Sequence, residues 1–157
     1  MSKLSLVTVQ SGRRHVIRRL KQLGYKAEST GRKEFPHIVV TDKETGRETR
    51  VRLKVKGYKF TDWQDNIKTL SRLKRRAVPG DLVVYVALKP KGGEPSFYVW
   101  RLIEALDIAI AYFDKVLLTS TGARRPTAGA PHQSMGVDVF GEGLDRWDLF
   151  RADQNDN

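Results

Sequence analysis

The sequence predicts an α/β domain: a mixed β-sheet built around a central hairpin, with helices packed against it. Three observations carry that expectation. Residues 48–56 alternate, with Val51, Leu53 and Val55 on one side and Arg50, Arg52, Lys54 and Lys56 on the other, which is the period of two of a strand with one buried face. Residues 82–88 (LVVYVAL) form a nearly continuous apolar run, as in a strand covered on both faces. Two further stretches, 11–24 and 102–117, repeat apolar residues every three or four positions, the period of an amphipathic helix.

In chain order, Ser11 serves as N-cap and Gly24 as the stop of a first helix. Its apolar stripe is Val16, Ile17, Leu20 and Leu23, with Arg14, Arg18, Lys21 and Gln22 opposite. Residues 25–29 follow as a short strand. Residues 35–41 are a β-branched run and 42–47 (DKETGR) are turn-like, so residues 35–56 form an antiparallel hairpin. A loop with Gly57, Tyr58 and Phe60 leads to Thr61, and residues 63–76 are expected to be helical. Pro79-Gly80-Asp81 breaks the chain, and 89–95 (KPKGGEP) turns it. A strand at 97–101 then precedes a helix at 102–117 with the stripe Leu102, Leu106, Ala109, Phe113 and Val116. Residues 119–135, rich in Gly, Ala, Pro, Ser and Thr, read as irregular loop. Residues 144–150 read as a short closing element that docks Trp147 and Phe150 on the core. The expected order is α-β-β-β-α-β-β-α, with no internal repeat. We expect a single domain over 1–157, with its core at about 11–118, the loop at 119–135 and a closing segment at 136–157.

The 157 residues suffice for one domain with a proper core. No run approaches the roughly 20 apolar residues of a bilayer span, so no membrane-embedded protein is expected. The start, MSKLSLVTVQSGRR, lacks an apolar h-region with a small-residue cleavage site, so no signal peptide is expected. Cysteine is absent, which excludes disulfides, thiolate zinc sites and cysteine nucleophiles and suits a cytoplasmic setting.

The net charge of +11 comes from 29 Lys and Arg against 18 Asp and Glu. A field of that sign and size has polyanions as its usual partners, nucleic acid first and an anionic membrane surface second. Basic residues crowd 13–21, 50–59 and 68–76, whereas Asp138, Glu142, Asp145, Asp148, Asp153 and Asp156 gather late. An acidic end of this kind either shields the basic face or solubilises the terminus. Lys68, Arg72 and Arg76 fall at i, i+4 and i+8 on one helical face, closely preceded by Tyr58, Phe60 and Trp63. Aromatics interleaved with cations can stack on unpaired bases while the cations hold phosphates. The competing reading makes such aromatics core; we expect it for Phe60 and leave Trp63 open. His15 and His132 stand alone in sequence and do not suggest metal ligands. No Walker or dinucleotide fingerprint is present.

Three stretches resemble the PD-(D/E)XK nuclease superfamily, which includes restriction endonucleases and archaeal Holliday-junction resolvases. Phe35-Pro36-His37-Ile38-Val39-Val40 resembles the strand that opens on a metal-binding aspartate. Leu53-Lys54-Val55-Lys56-Gly57 resembles the strand bearing the (D/E)xK signature. Residues 81–88, followed by Phe97-Tyr98-Val99-Trp100, resemble the later strand pair of small nucleases. The match spans roughly residues 11 to 118. It implies a restriction-endonuclease-like core, DNA as the first partner, and a possible homodimer.

The resemblance also implies where a divalent ion would sit, and there the chain departs from the family. The acid positions hold His37 and Lys54; only Lys56 fits. Many relatives carry a glutamate on the first helix, where this chain has Arg13, Arg14 and His15. Mg²⁺ needs hard oxygen ligands, which these side chains do not supply. The expectation is a nucleic-acid-binding protein of nuclease-like fold, without catalysis or metal. It would hold the DNA or RNA backbone through Arg13, Arg14, His15, Arg18, His37, Lys54, Lys56, Lys68, Arg72 and Arg76. Lys54 and Lys56 alternate on a strand and so project from one face. Two alternatives stay open. One is an active Mg²⁺-dependent nuclease with relocated acids, using Glu34, Asp42 and Lys56. The other is a basic interaction or inhibitor protein docking an acidic partner.

Overall fold

The computed structural model describes residues 3–116 and 132–151. Its first element, α1 (Lys3–Gln22), starts well before the expected cap at Ser11, because Leu6 and Val9 extend the apolar spacing by two turns toward the N-terminus. The helix stops at Gly24, whose φ of 95° suits a residue without a Cβ. Strand β1 (Tyr25–Ser29) follows at once, then β2 (Ile38–Asp42) and β3 (Glu48–Lys56). The hairpin pairs Ile38 with Val51 and Thr41 with Glu48. Residues 35–37, expected in the strand, belong to the loop ahead of it.

The chain next departs from its helical pattern. Residues 62–66 are a strand, β4 (Asp62–Asn66), and only Ile67–Arg76 forms α2. Trp63 and Asp65 alternate inward along β4 while Asp62 and Gln64 face out. Asn66 ends the strand by accepting the Lys68 N–H on its side chain at 2.8 Å, the N-cap of α2. Strands β5 (Leu82–Ala87) and β6 (Ser96–Arg101) and helix α3 (Leu102–Val116) lie close to expectation. Strand β7 (His132–Gly136) occupies the end of the stretch read as irregular loop and pairs antiparallel with β4, Trp63 opposite Met135. A short helix, α4 (Val137–Phe140), and two 3₁₀ turns close the described chain. The rest of that loop expectation, and Asp153 and Asp156, lie outside the described residues.

The main sheet has the order β1-β2-β3-β5-β6. Only β3 and β5 run parallel; the other neighbours are antiparallel. Every residue of β5 is buried, because apolar layers cover both faces of this strand. On one face α1 packs through Val16 and Leu20 on Val40, Val51, Leu53 and Val84, with Trp147 and Phe150 sealing the edge as expected. On the other, Trp63, Leu70, Leu73, Tyr85, Phe113, Met135 and Phe140 form a second core. Trp63 is 2% exposed and donates its indole N–H to the Val86 carbonyl at 3.0 Å. Phe60, expected in the core, is 69% exposed. The strand at 62–66 decides both: its alternation turns Trp63, left open by the sequence, inward and leaves Phe60 on the turn before it.

α1 approaches β3 closely at one point. A Cβ on Gly12 would lie 2.6 Å from Val55 Cγ1, so only glycine lets the helix rest there. That contact sets Arg13, the next residue, over the sheet.

Candidate nucleic-acid interface

Between α1, the loop joining β1 to β2, β3 and α2 lies a cleft of about 850 Å³. α1 contributes Leu6, Val9, Gln10 and Arg13; the loop contributes residues 31–35 and His37; β3 contributes Arg52, Leu53 and Lys54; α2 contributes Thr69, Arg72, Leu73 and Arg76. Seven lining residues are cations (Arg13, Arg32, Lys33, Arg52, Lys54, Arg72 and Arg76) and one, Glu34, is an acid. Low-dielectric walls lined by one sign of charge focus potential into such a cleft.

Local hydrogen bonding fixes the loop. Thr30 donates its hydroxyl to the Pro36 carbonyl at 2.7 Å and accepts the Arg32 N–H at 3.1 Å. The Thr30 N–H reaches the His37 carbonyl at 3.0 Å, and the His37 N–H reaches Val51 at 2.9 Å. Arg32 and Lys33 are thus presented by an ordered backbone with their side chains exposed. Reading the sequence missed both. Their signal was the Gly-Arg-Lys run immediately ahead of the hairpin.

His37 is spoken for at both nitrogens. The Leu53 N–H donates to Nδ1 at 2.9 Å, so Nδ1 is an acceptor. Nε2 therefore carries the proton, which it donates to the Lys33 carbonyl at 3.1 Å. Burial, joined by the charges of Arg52, Arg13 and Lys54 and opposed by the Lys33 hydrogen bond, brings its pKa down to about 4. The ring is neutral and offers neither a lone pair to a metal nor a free N–H to a phosphate. The expectation of His37 as a backbone contact is corrected accordingly: it pins the loop to β3.

The charged face of β3 is not the open, wet surface the alternation suggested. β4 and α2 pack over it, Asp81 reaches it from just ahead of β5, and each cation has an internal partner. Arg50 makes a bidentate pair with Asp81, at 2.9 and 2.6 Å. Arg52, 5% exposed, pairs with Asp65 at 2.7 Å, and Asp65 is 2% exposed. Lys54 donates to the Gln64 carbonyl at 2.6 Å and lies 3.5 Å from Asp65. Burial lowers its pKa, with Asp65 opposing. Lys56 donates to the Thr61 carbonyl and stands 4.4 Å from the Trp63 ring centroid. Asp65 and Asp81 were missed as partners because tertiary contacts, not spacing, bring them to β3.

The remaining sequence candidates separate. Arg13 is half-buried in the cleft, and its buried Nε has no hydrogen-bond partner among the described residues. Arg72 and Arg76 are exposed along one face of α2 and line the cleft. Lys68, two turns earlier, is exposed but outside it, as are Arg14 and Arg18 on the outer side of α1; His15 is half-buried there. The relocated-acid set does not assemble. Glu34 lines the cleft, whereas Asp42 ends β2 at the other end of the strand. There its carboxylate accepts the Glu44 and Thr45 N–H groups at 2.8 and 3.1 Å, which hold its pKa below the usual range. Lys56 does not line the cleft. Among the described residues, no three His, Cys, Asp or Glu side chains converge as a metal would need. At the positions where the resemblance puts a divalent ion stand a saturated imidazole, a lysine and an arginine, a donor set that does not fit Mg²⁺.

No protein-family model matches the chain, and no curated protein matches it in sequence. Among solved structures the fold is similar to Hjc, a Holliday junction resolvase from the archaeal hyperthermophile Archaeoglobus fulgidus. The identity is 13% over 92% of this chain and 97% of that one, with a TM-score of 0.50. The chain therefore has the restriction-endonuclease-like fold that its sequence resembles. No described helix is long and apolar enough to cross a membrane.

Proposed function

We propose that this protein binds the phosphate backbone of nucleic acid, with DNA as the first candidate, through a cleft that holds cations where a nuclease of this fold would hold a metal ion. The cleft itself carries the proposal: Arg13, Arg32, Lys33, Lys54, Arg72 and Arg76 against the single carboxylate of Glu34. Arginine and lysine neutralise phosphate without generating a metal hydroxide, so binding is separated from hydrolysis. Arg13, Arg32, Lys33, Arg72 and Arg76 make the contacts. Lys54, tied to Gln64 and Asp65, adds field from below. Contacts of this kind fix position on a backbone and carry little sequence information. The likeness to a Holliday junction resolvase agrees with this reading at the level of fold.

The test pairs a binding assay in chelator with a nuclease assay in Mg²⁺ and Mn²⁺. Binding in chelator without cleavage in either metal is the expected result. Metal-dependent cleavage that is lost in Glu34→Ala would replace this reading with that of an active nuclease.

A further inference from the structure

Next to the cleft stands a feature the phosphate contacts do not use. β3 and β4 are joined by residues 57–61, in which Tyr58 and Phe60 are 56% and 69% exposed. The turn is firmly held. The Phe60 N–H donates to the Gly57 carbonyl at 3.1 Å, and Lys56 closes its base through the Thr61 carbonyl. The Phe60 ring lies over Gly57, where an added Cβ would meet it at 3.7 Å, and the same point is 4.0 Å from Thr8 of α1. The turn therefore sits against Thr8 of α1, and it begins three residues after Lys54 of β3, which lines the cleft. Lys59 stands 5.8 Å from the Tyr58 ring centroid.

We infer that Tyr58 and Phe60 form a stacking platform for unpaired bases, so that the ligand is single-stranded nucleic acid or a duplex with unpaired bases beside the cleft. The inference rests on the phosphate-binding reading above and adds the class of ligand. Bases in a duplex have their faces covered by neighbours; only unpaired bases present them to protein rings. The charge around the turn selects this occupant: Lys59 flanks the rings, Lys56 stands at the base of the turn, and Lys54, two residues earlier on β3, lines the cleft, matching a strand with a phosphate between successive bases. Because the turn is ordered before binding, little conformational freedom is lost when a base stacks.

The test is fluorescence anisotropy with a labelled oligo-dT and with a fully paired duplex of equal length, in chelator. Tyr58→Ala and Phe60→Ala should each weaken oligo-dT binding about fivefold to a hundredfold and leave duplex binding within about twofold, since backbone contacts position a duplex without stacking on its bases. Phe60→Leu, which keeps apolar bulk and removes the π-face, should behave as Phe60→Ala. Thermal unfolding of all three variants should match the parent, since both rings are exposed. Equal loss on the two ligands, no loss on oligo-dT, or full rescue by leucine would overturn the inference and leave the phosphate reading standing. A dimer in sedimentation that the alanine variants convert to monomer would make a second copy the occupant, and would also overturn it. A parent protein that binds neither ligand would defeat the phosphate reading itself.

Discussion

Replacing Asp65 with asparagine removes one charge from the least hydrated ion pair among the described residues. Arg52 and Asp65 meet at 2.7 Å with side chains 5% and 2% exposed, and Lys54 lies 3.5 Å from the same carboxylate oxygen. At an effective dielectric constant near 20, a unit pair at that separation attracts by about 6 kcal/mol. Desolvation offsets most of this while the pair is intact. In Asp65→Asn the attraction goes and the desolvation of Arg52 stays, at a cost of about 3–5 kcal/mol. That is a large share of the roughly 5–15 kcal/mol that stabilises a domain. Urea unfolding measures the loss directly, and thermal unfolding should fall by about 6–20 °C at this chain length. The double variant Arg52→Met, Asp65→Leu removes both charges and should recover most of the loss. A cost below about 1 kcal/mol for Asp65→Asn, against the 3–5 expected, would mean that water reaches Arg52. The charged face of β3 would then be open to solvent rather than covered.

Two further perturbations test how the cleft is held. The His37 pKa of about 4 in the folded protein lies below the ordinary 6.5, so between these values the unfolded chain binds a proton that the folded one does not. Stability should therefore fall as pH drops from 6.5 toward 4, and the His37 ring signals in NMR should stay neutral at pH 5; titration near 6.5 would contradict the hydrogen bonds assigned to the ring. Gly12→Ala should destabilise by up to about 2 kcal/mol net, the clash with Val55 costing about 1–3 kcal/mol against the roughly 1 kcal/mol that alanine adds to helix propensity. Val55→Ala in the same chain should relieve part of it in chemical denaturation, and additive effects of the two changes would show that no such contact exists.

Much of the fold could be read in advance because its elements carry local signatures. The alternation of 48–56, the apolar run at 82–88 and the glycine after α1 each specify their structure from within a few residues. β4 could not be read this way, since its pairing partner is 66 to 74 residues away, at Asn66 with His132 and Asp62 with Gly136. Missing it placed Phe60 wrongly in the core, left Trp63 undecided and hid Asp65 as the counter-charge of Arg52. The site was half legible. Arg13, Lys54, Arg72 and Arg76 were identified and do line one cleft. Arg32 and Lys33 were not, because a loop has no period to reveal it. His37 and Lys56 were assigned to the nucleic acid, whereas His37 is held by the Leu53 N–H and the Lys33 carbonyl, and Lys56 by the Thr61 carbonyl beside the buried Trp63 indole.

If cations in this cleft hold phosphate in place of a metal ion, the salt dependence of binding must show it. Affinity for duplex DNA would be measured in chelator over a range of salt concentrations for the parent and for Arg72→Gln, Arg76→Gln. Each lost phosphate contact removes about 0.9 from the slope of log affinity against log salt. Binding without metal is expected, with a slope shallower by about 2 in the double variant. An unchanged slope, or binding that appears only when Mg²⁺ is added, would contradict it.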